Sequence, residues 1–489
     1  MTKQQKLQAA VEKLETRKKS AQLRALLPDI EKRIAAGTSI ADIARALSDN
    51  GLPITLATLK SYLYRARKAA RKAPSDGGDP QNSFDVESSV TRNPGVSSRL
   101  YQSPASTQPS RNINTVRCLR QLRRGDIFTR AELSRMLGLT RATVGRAINE
   151  LIADKLVLET DLQMEEGRPG RPGAGIRLNP QGAYAIGIDI SSSALTGILI
   201  GLGMQVIEKI ILPIESLKND LLKMVELIAQ IPARLLFLSG ITSQQLQGIC
   251  ISVPGLIDKT GRVVVAPFLH WRDVPLQTLL AARQELVWPI IVCNDAVAFA
   301  NAEQSRSNKT DVKNMLLILL AEGLGGAVIQ HGQIVKGAHG FAGEFGHMIM
   351  SDKVSAASET AFEMLAGYQR FYPWLPENAT IEEQMAWIAD PANRRTIPQL
   401  PRILDKWAEA LSAGLLNLIY LFDPEEIILG GPLSSLFPLI ASQVQVMLKE
   451  NILYGYQIPP ILVTQFGADG AAIGAASMVL SNLFSLPVM

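Results

Sequence analysis

Apolar residues recur at three- and four-residue spacing through the first third of this 489-residue chain and gather into short continuous runs beyond it. The first spacing is that of amphipathic helices, the second that of buried strands. Over residues 1–73 the pattern predicts a helix from Leu23 to Ala36 that stops at Gly37. A second, IADIARALSDN, is capped by Thr38 or Ser39 and stops at Gly51, and a third, LATLKSYLYRARKAARK, is capped by Thr55. Helix, glycine turn, short helix, turn and basic helix is the layout of a helix-turn-helix. Residues 74–110 are rich in Ser, Pro, Gly and Asn and read as a flexible linker. Residues 111–178 return to helical spacing. Asn114 is expected to cap TVRCLRQLRR, Thr129 to cap RAELSRML, and Gly138-Leu139 to turn into Thr140, the cap of RATVGRAINELIADK. Two short strands follow, Leu156–Glu159 and Ile176–Leu178, around a tip that contains GRPGRPG. This is the pattern of a winged helix-turn-helix. From residue 180 onward the runs AIGIDI, LTGILI, GICISV, IIVCND, MLLILL and EIILGG predict buried strands between helices, hence an α/β body. It divides at about residue 300 into a first lobe, 180–300, and a second, 301–489, whose last small-residue helix packs back.

Charge separates these parts further. The net charge is only +5, but residues 1–73 hold 16 basic against 6 acidic residues, and residues 111–177 hold 13 against 8. The body is therefore acidic. Basic modules ahead of an acidic body point to a nucleic-acid partner for the front half alone. Three scattered cysteines, with no CxxC pair, argue for a reducing compartment and against a disulfide framework. The charged N-terminus is no signal peptide, and the longest apolar stretch, around Leu411 to Phe422, is too short to span a bilayer. A cytoplasmic protein without a membrane partner is expected.

Within the second basic module, Thr140, Arg141, Thr143 and Arg146 lie near the start of the recognition helix, where side chains reach base edges. Arg168 and Arg171, stiffened by Pro169 and Pro172, suit a minor groove. In the first module Lys60, Arg65 and Arg67 lie on the basic helix. The blander readings are a protein-interaction winged helix and a solvated basic helix.

The stretch from Leu320 to His347 concentrates glycine at 323, 325, 326, 332, 337, 340, 343 and 346 and ends in Glu344-Phe-Gly-His347. Glycine lets backbone approach a ligand closely. A carboxylate and an imidazole three residues apart behind such a loop can turn toward one polar ligand, or can be a satisfied surface pair on a hairpin. The spacing of Leu320, Gly323, Leu324, Gly325, Ala327, Gly337, Gly343 and Gly346-His347 resembles the signature of the ROK family of bacterial sugar kinases and sugar-responsive repressors. The likeness runs over roughly residues 112–480 and includes the winged helix of the family's repressors.

The resemblance implies an actin-like, two-lobed (ribonuclease H-like) sugar-kinase fold, preceded here by the winged helix-turn-helix and an additional small α-helical domain. It implies a sugar between the lobes, held by Asn294, Asp295, Glu344, His347 and Glu363, with Asp295 in the place of the kinases' general base. Two departures argue against catalysis. Asp189-Ile-Ser-Ser-Ser193 replaces the glycine loop that cradles ATP phosphates, and Glu322 would repel a triphosphate. Met348 to Glu363 lacks the family's zinc cysteines, so neither metal nor cofactor is expected. Phe268 stands where the family usually has a sugar-contacting Asn. The expectation is a non-enzymatic, sugar-responsive regulator, a repressor of carbohydrate genes, that binds double-stranded DNA at an inverted-repeat operator as a homodimer or homotetramer and takes a sugar or sugar-phosphate effector. The alternatives are an ATP-dependent sugar kinase with appended DNA-binding domains, and a regulator that has lost its effector.

Overall fold

The structure, a computed structural model, describes residues 40–49 with the single positions 30, 33 and 59, and residues 112–123, 125–161, 174–214, 217, 220–307, 312–352, 357–376 and 379–485. The chain forms two compact units, 1–97 and 98–489. In the first, Ile43 and Ala44 of α1 (Ile40–Asp49) are buried, and so are the helical positions Ile30 and Leu59. Lys60, Arg65 and Arg67 lie outside the described residues, as do Arg168 and Arg171.

The second unit opens with α2 (Ile113–Leu122), β1 (Phe128–Thr129), α3 (Arg130–Leu137), α4 (Arg141–Ala153), β2 (Val157–Asp161) and β3 (Ala174–Leu178). The strands form one sheet in the order β1-β3-β2. Local chemistry sets each boundary. Asn112, not Asn114, caps α2: its side chain accepts from the Asn114 N–H, which puts Asn114 inside the first turn. Thr129 and Glu132 make a reciprocal capping box on α3, and Gly138 ends that helix in the left-handed region at φ 63°. Thr140 caps α4 through the Thr143 N–H. Leu119, Leu122, Leu133, Val144, Ile148, Leu151 and Ile176 fill the small core.

The body repeats one topology twice. The first sheet comprises β4 (Tyr184–Ile190), β5 (Ala194–Gly201), β6 (Val206–Pro213), β7 (Leu246–Val253) and β11 (Ile290–Asn294) in the order β11-β7-β4-β5-β6. A small sheet of β8 (Leu256–Ile257), β9 (Val263–Ala266) and β10 (Trp271–Val274) is inserted between β7 and β11. The second large sheet comprises β12 (Met315–Leu320), β13 (Leu324–Gln330), β14 (Gln333–Ile334), β15 (Glu426–Gly430) and β16 (Ile461–Val463) in the order β14-β13-β12-β15-β16. In both, an antiparallel meander is followed by two parallel strands that need crossovers. This duplicated order is the actin-like fold. Every residue of β12 and β15 is buried, as strands covered on both faces require.

The remaining helices are α5 (Leu221–Ser239), α6 (Leu276–Ala281), α7 (Asp295–Ser307), α8 (Ala357–Thr360), α9 (Phe362–Ala366), α10 (Ile381–Ala389), α11 (Pro391–Thr396), α12 (Gln399–Phe422), α13 (Phe437–Asn451) and α14 (Gly470–Ser481). Helices α7 and α14 pack against each other, and α14 also lies on β4. Small residues make that approach possible. A methyl group on Gly474 would sit 1.8 Å from the Ala298 carbonyl oxygen, and one on Gly187 would sit 1.8 Å from that of Ala472. The run GADGAAIGAA is thus dictated by close helix packing.

Candidate functional site

The ends of β4 and β11, the β12–β13 turn and the start of α9 converge. Ser192 and Glu322, 130 positions apart in the sequence, meet there. Asn294 ends β11 and caps α7: its Oδ1 accepts from the Val297 N–H at 3.0 Å, and its Nδ2 donates to the Gly255 carbonyl and to Asp295 Oδ1 at 3.1 and 2.9 Å. The amide is therefore committed to the fold, which is the helix-cap role, and it orients Asp295. The Ala296 N–H also donates to Asp295 Oδ1, at 2.9 Å, so two donors meet on that oxygen. On the neighbouring strand, Ser252 Oγ donates to Asp189 Oδ1 at 2.7 Å. Spacing alone gave no hint of Ser252.

The glycine loop brings the second lobe's groups into place. Gly343 has φ 104°, and a side chain there would strike the Gly326 carbonyl oxygen at 2.3 Å; at Gly346 it would strike that of Leu324 at 2.2 Å. The loop therefore lies flat on β13; Glu344 caps a single 3-10 turn, Phe345–His347, and His347 ends it. The segment beyond it is closed by backbone hydrogen bonds. The Met350 N–H donates to Thr360 at 2.9 Å and the Phe362 N–H to Met348 at 2.8 Å, around an isolated Ile349–Ala361 bridge. Phe362 is buried against Gly414 of α12. This apolar anchor sets Glu363, the next residue, beside the imidazole: His347 Nδ1 lies 3.4 Å from Glu363 Oε1, and its Nε2 lies 3.9 Å from Glu344 Oε2. Among the described residues no group of three His, Cys, Asp or Glu is placed to hold a metal ion.

Burial and mutual repulsion tune the acids. Burial pushes Asp295 up to about 7, with the charges of Asp189 and Glu344 adding to it and the Ala296 N–H opposing. Burial raises Asp189 to about 6 against the lowering effect of Ser252. Glu344 is also raised, by burial first, with Glu363 raising it further and His347 opposing. Clustered carboxylates favour a neutral ligand rich in hydroxyl donors over an anion.

Two further features bear on what fits. The Phe268 ring would lie 3.6 Å from a methyl group on Gly323, and Glu363 Oε2 3.7 Å from the same point, so the ring walls the space between the lobes. At the opposite end, Ser192 Oγ in the β4–β5 turn donates to Glu322 Oε1 in the β12–β13 turn, a bond that ties one lobe to the other.

On the first module of this unit, Thr140, the cap of α4, is exposed, and on the first two turns of that helix Arg141 and Arg146 are exposed and Thr143 is half-buried. The Thr140 and Thr143 hydroxyls pair at 2.9 Å. Arg130 donates to Asn149 at 3.1 Å and lies 2.6 Å from Glu159, which fixes α3, α4 and β2 relative to one another.

A profile of the ROK family matches residues 185–482. The chain is similar to the xylose repressor of Bacillus spizizenii, 26% identical over 390 residues that cover 78% of this chain and 98% of the relative. It is also similar to a glucokinase of Streptomyces coelicolor, 28% identical over 259 residues, 48% of this chain and 80% of the relative. Among solved structures, a ROK family transcriptional regulator, a homolog of the E. coli MLC protein, superposes with a TM-score of 0.62 at 24% identity, covering 76% of this chain and 96% of that one. A ROK family glucokinase from Streptomyces griseus in complex with glucose and AMPPNP gives 0.50 at 23% identity, covering 60% and 99%. These two likenesses establish the fold, and the profile, which spans more than half of the sequence, establishes that the chain belongs to the ROK family.

Proposed function

We propose that the protein is a sugar-responsive transcriptional repressor. Residues 112–178 act as a winged helix-turn-helix that places α4 in a major groove, through Thr140, Arg141, Thr143 and Arg146, and the wing arginines Arg168 and Arg171 in the adjoining minor groove. Lys60, Arg65 and Arg67 of the first unit add phosphate contacts. The effector lies between the lobes, with its hydroxyls donated to Asp295, Glu344 and Glu363 and a further polar contact to His347; Asn294, expected from the sequence as a direct contact, acts through its bond to Asp295 instead. One observation carries the reading: the relatives that align along nearly their whole length are named xylose repressors, and that alignment is too long to lie within the body alone. Double-stranded DNA and a sugar are thus the partners, and an inverted-repeat operator read by a homodimer or homotetramer is the expected arrangement.

D-xylose is the first sugar to try. Thermal midpoint and operator affinity are measured on one sample, with pentoses, hexoses and N-acetyl hexosamines in parallel and an operator selected from random duplexes. One sugar should raise the midpoint and change the affinity. Binding of DNA with no response to any sugar would sink the effector half of the reading.

A kinase reading is favoured by a single observation, the position of Asp295 at a pKa of about 7 where a general base works well. Against it, Glu322 bonded to Ser192 fills the phosphate end with a carboxylate. ATP turnover with the same sugar panel should stay at background; turnover with any one sugar would reverse the choice.

A further inference from the structure

Helix α7 begins at the effector site and ends against the DNA-binding module. Its first residue is Asp295, and ten residues on, about 15 Å along the axis, Ser305 Oγ accepts from the guanidinium of Arg123 at 3.1 Å. Arg123 terminates α2, the first helix of the winged module. Its guanidinium also lies 4.5 Å over the ring of Phe484, and the adjacent Arg120 donates from Nε to the Phe484 carbonyl at 2.6 Å. Burial first, then Arg120, pulls the Arg123 guanidinium down to about 10, so it remains a cation at neutral pH. The contact is therefore charged, half-buried and threefold.

The far side of this contact is rigid in both directions. Ser477 of α14 bonds Ser305 at 2.9 Å and Asn301 at 2.6 Å, and Asn301 also donates to the Gly474 carbonyl at 3.1 Å. With a methyl-sized gap absent at Gly474, α7 and α14 are in close backbone contact. Within the DNA-binding module, Thr115 of α2 donates to Glu150 of α4 at 2.9 Å, and Thr115 is buried. One apolar core runs unbroken from Leu119, Leu122 and Ile148 to Ala302, Ala476 and Phe484. Every step from the effector carboxylate to the recognition helix is thus either a helix or a direct contact.

We infer that Arg123 and Ser305 are coupling residues: the pair transmits movement of the Asp295 end of α7 through α2 to α4, and so makes operator affinity depend on the effector. The inference rests on the sugar-responsive reading and names its route. A route has physical content only if both ends bias the same element, which a coupling measurement reads directly.

The experiment uses the full chain with Ser305→Ala and Arg123→Met, the latter preserving length and packing. Neither residue belongs to the sugar or DNA contacts. Both variants should bind the operator within about threefold of the parent without sugar and show the parent's sugar-induced rise in midpoint. The sugar-induced change in operator affinity should fall to a third or less. Full retention of that change in both variants overturns the inference. If the parent answers to no sugar, the effector reading has failed, and a sugar-free cycle decides the route instead. Asp295→Asn is then combined with Ser305→Ala and operator affinity is measured. Loss of the Asp295→Asn effect in the Ser305→Ala background supports the route. No Asp295→Asn effect, or effects that multiply independently to within about twofold, overturns it.

Discussion

Asp295 is an acid whose charge is penalised by the fold, and the sign of that penalty can be measured. Its pKa, raised from 3.8 to about 7 by burial and by Asp189 and Glu344, means that the folded chain holds a proton that the unfolded chain has released. Stability without sugar therefore declines as pH rises through the window from 4 to 7, the reverse of a salt-bridged carboxylate. The midpoint should fall by a few degrees between pH 5 and 8, and Asp295→Asn should flatten part of that fall. Sugar binding should run the other way, because an ionised carboxylate accepts a hydroxyl hydrogen bond about 1 kcal/mol better than a neutral one. Affinity should be about fivefold weaker at pH 5.5 than at pH 8, and a flat profile by titration calorimetry would remove Asp295 from the contact set. Phe268 makes a different prediction. Phe268→Ala removes the wall beside Gly323, and the ratio of hexose to pentose affinity should rise about tenfold, since pocket walls discriminate at 1–3 kcal/mol per methylene-sized group. Much of this cluster was legible in the sequence. The glycine spacing marked the turn that carries Glu344 and His347, and the resemblance to the ROK signature, not the periodicity, singled out Asp295. The Ser192–Glu322 bond and the Ser252–Asp189 bond were not legible. Each joins residues that only the paired lobes and strands bring together, and no local periodicity encodes such a contact.

At the scale of elements, glycines and caps carry the constraints. Gly474→Ala places a methyl group 1.8 Å from the Ala298 carbonyl oxygen, backbone against backbone, so α7 and α14 must part. The cost should be about 1–3 kcal/mol, read from urea unfolding, and a neutral result would mean that the two helices are not in the close approach described. Thr140→Ala removes the cap of α4 and its bond to the Thr143 N–H, for about 1 kcal/mol. These boundaries were readable because caps are local: Thr129, Gly138 and Thr140 sit where the sequence placed them. The exception instructs. Asn112 and Asn114 are equally good caps by chemistry, and only the extended backbone at Asn112, φ −58° and ψ 142°, selects the first. Strand order was beyond the sequence for a related reason. The runs of β4, β7 and β12 are apolar on both faces, so hydropathy reports that they are buried without reporting beside which partner.

For the whole molecule, the distribution of charge sets how DNA is held. The body is acidic, so on the proposed reading the electrostatic part of binding is expected from residues 1–73 and 111–177. If both basic segments touch DNA, each phosphate contact releases counterions and steepens the dependence of affinity on salt, by about 0.9 in log–log slope per contact. Removing residues 1–80 while keeping the second unit, 98–489, intact then has two separable consequences. Loss of Lys60, Arg65 and Arg67 as phosphate contacts should lower the slope by about 3 and weaken binding most at low salt. Sequence preference should be unchanged, because Thr140, Arg141, Thr143 and Arg146 remain and base edges, not phosphates, carry sequence. Measuring operator affinity between 50 and 300 mM salt for both chains distinguishes the cases. An unchanged slope would confine DNA binding to the winged module and leave the +10 of the first segment to another partner. A lowered slope with altered preference would mean that the first unit reads bases itself, and the operator would then be longer than one winged helix per half-site requires.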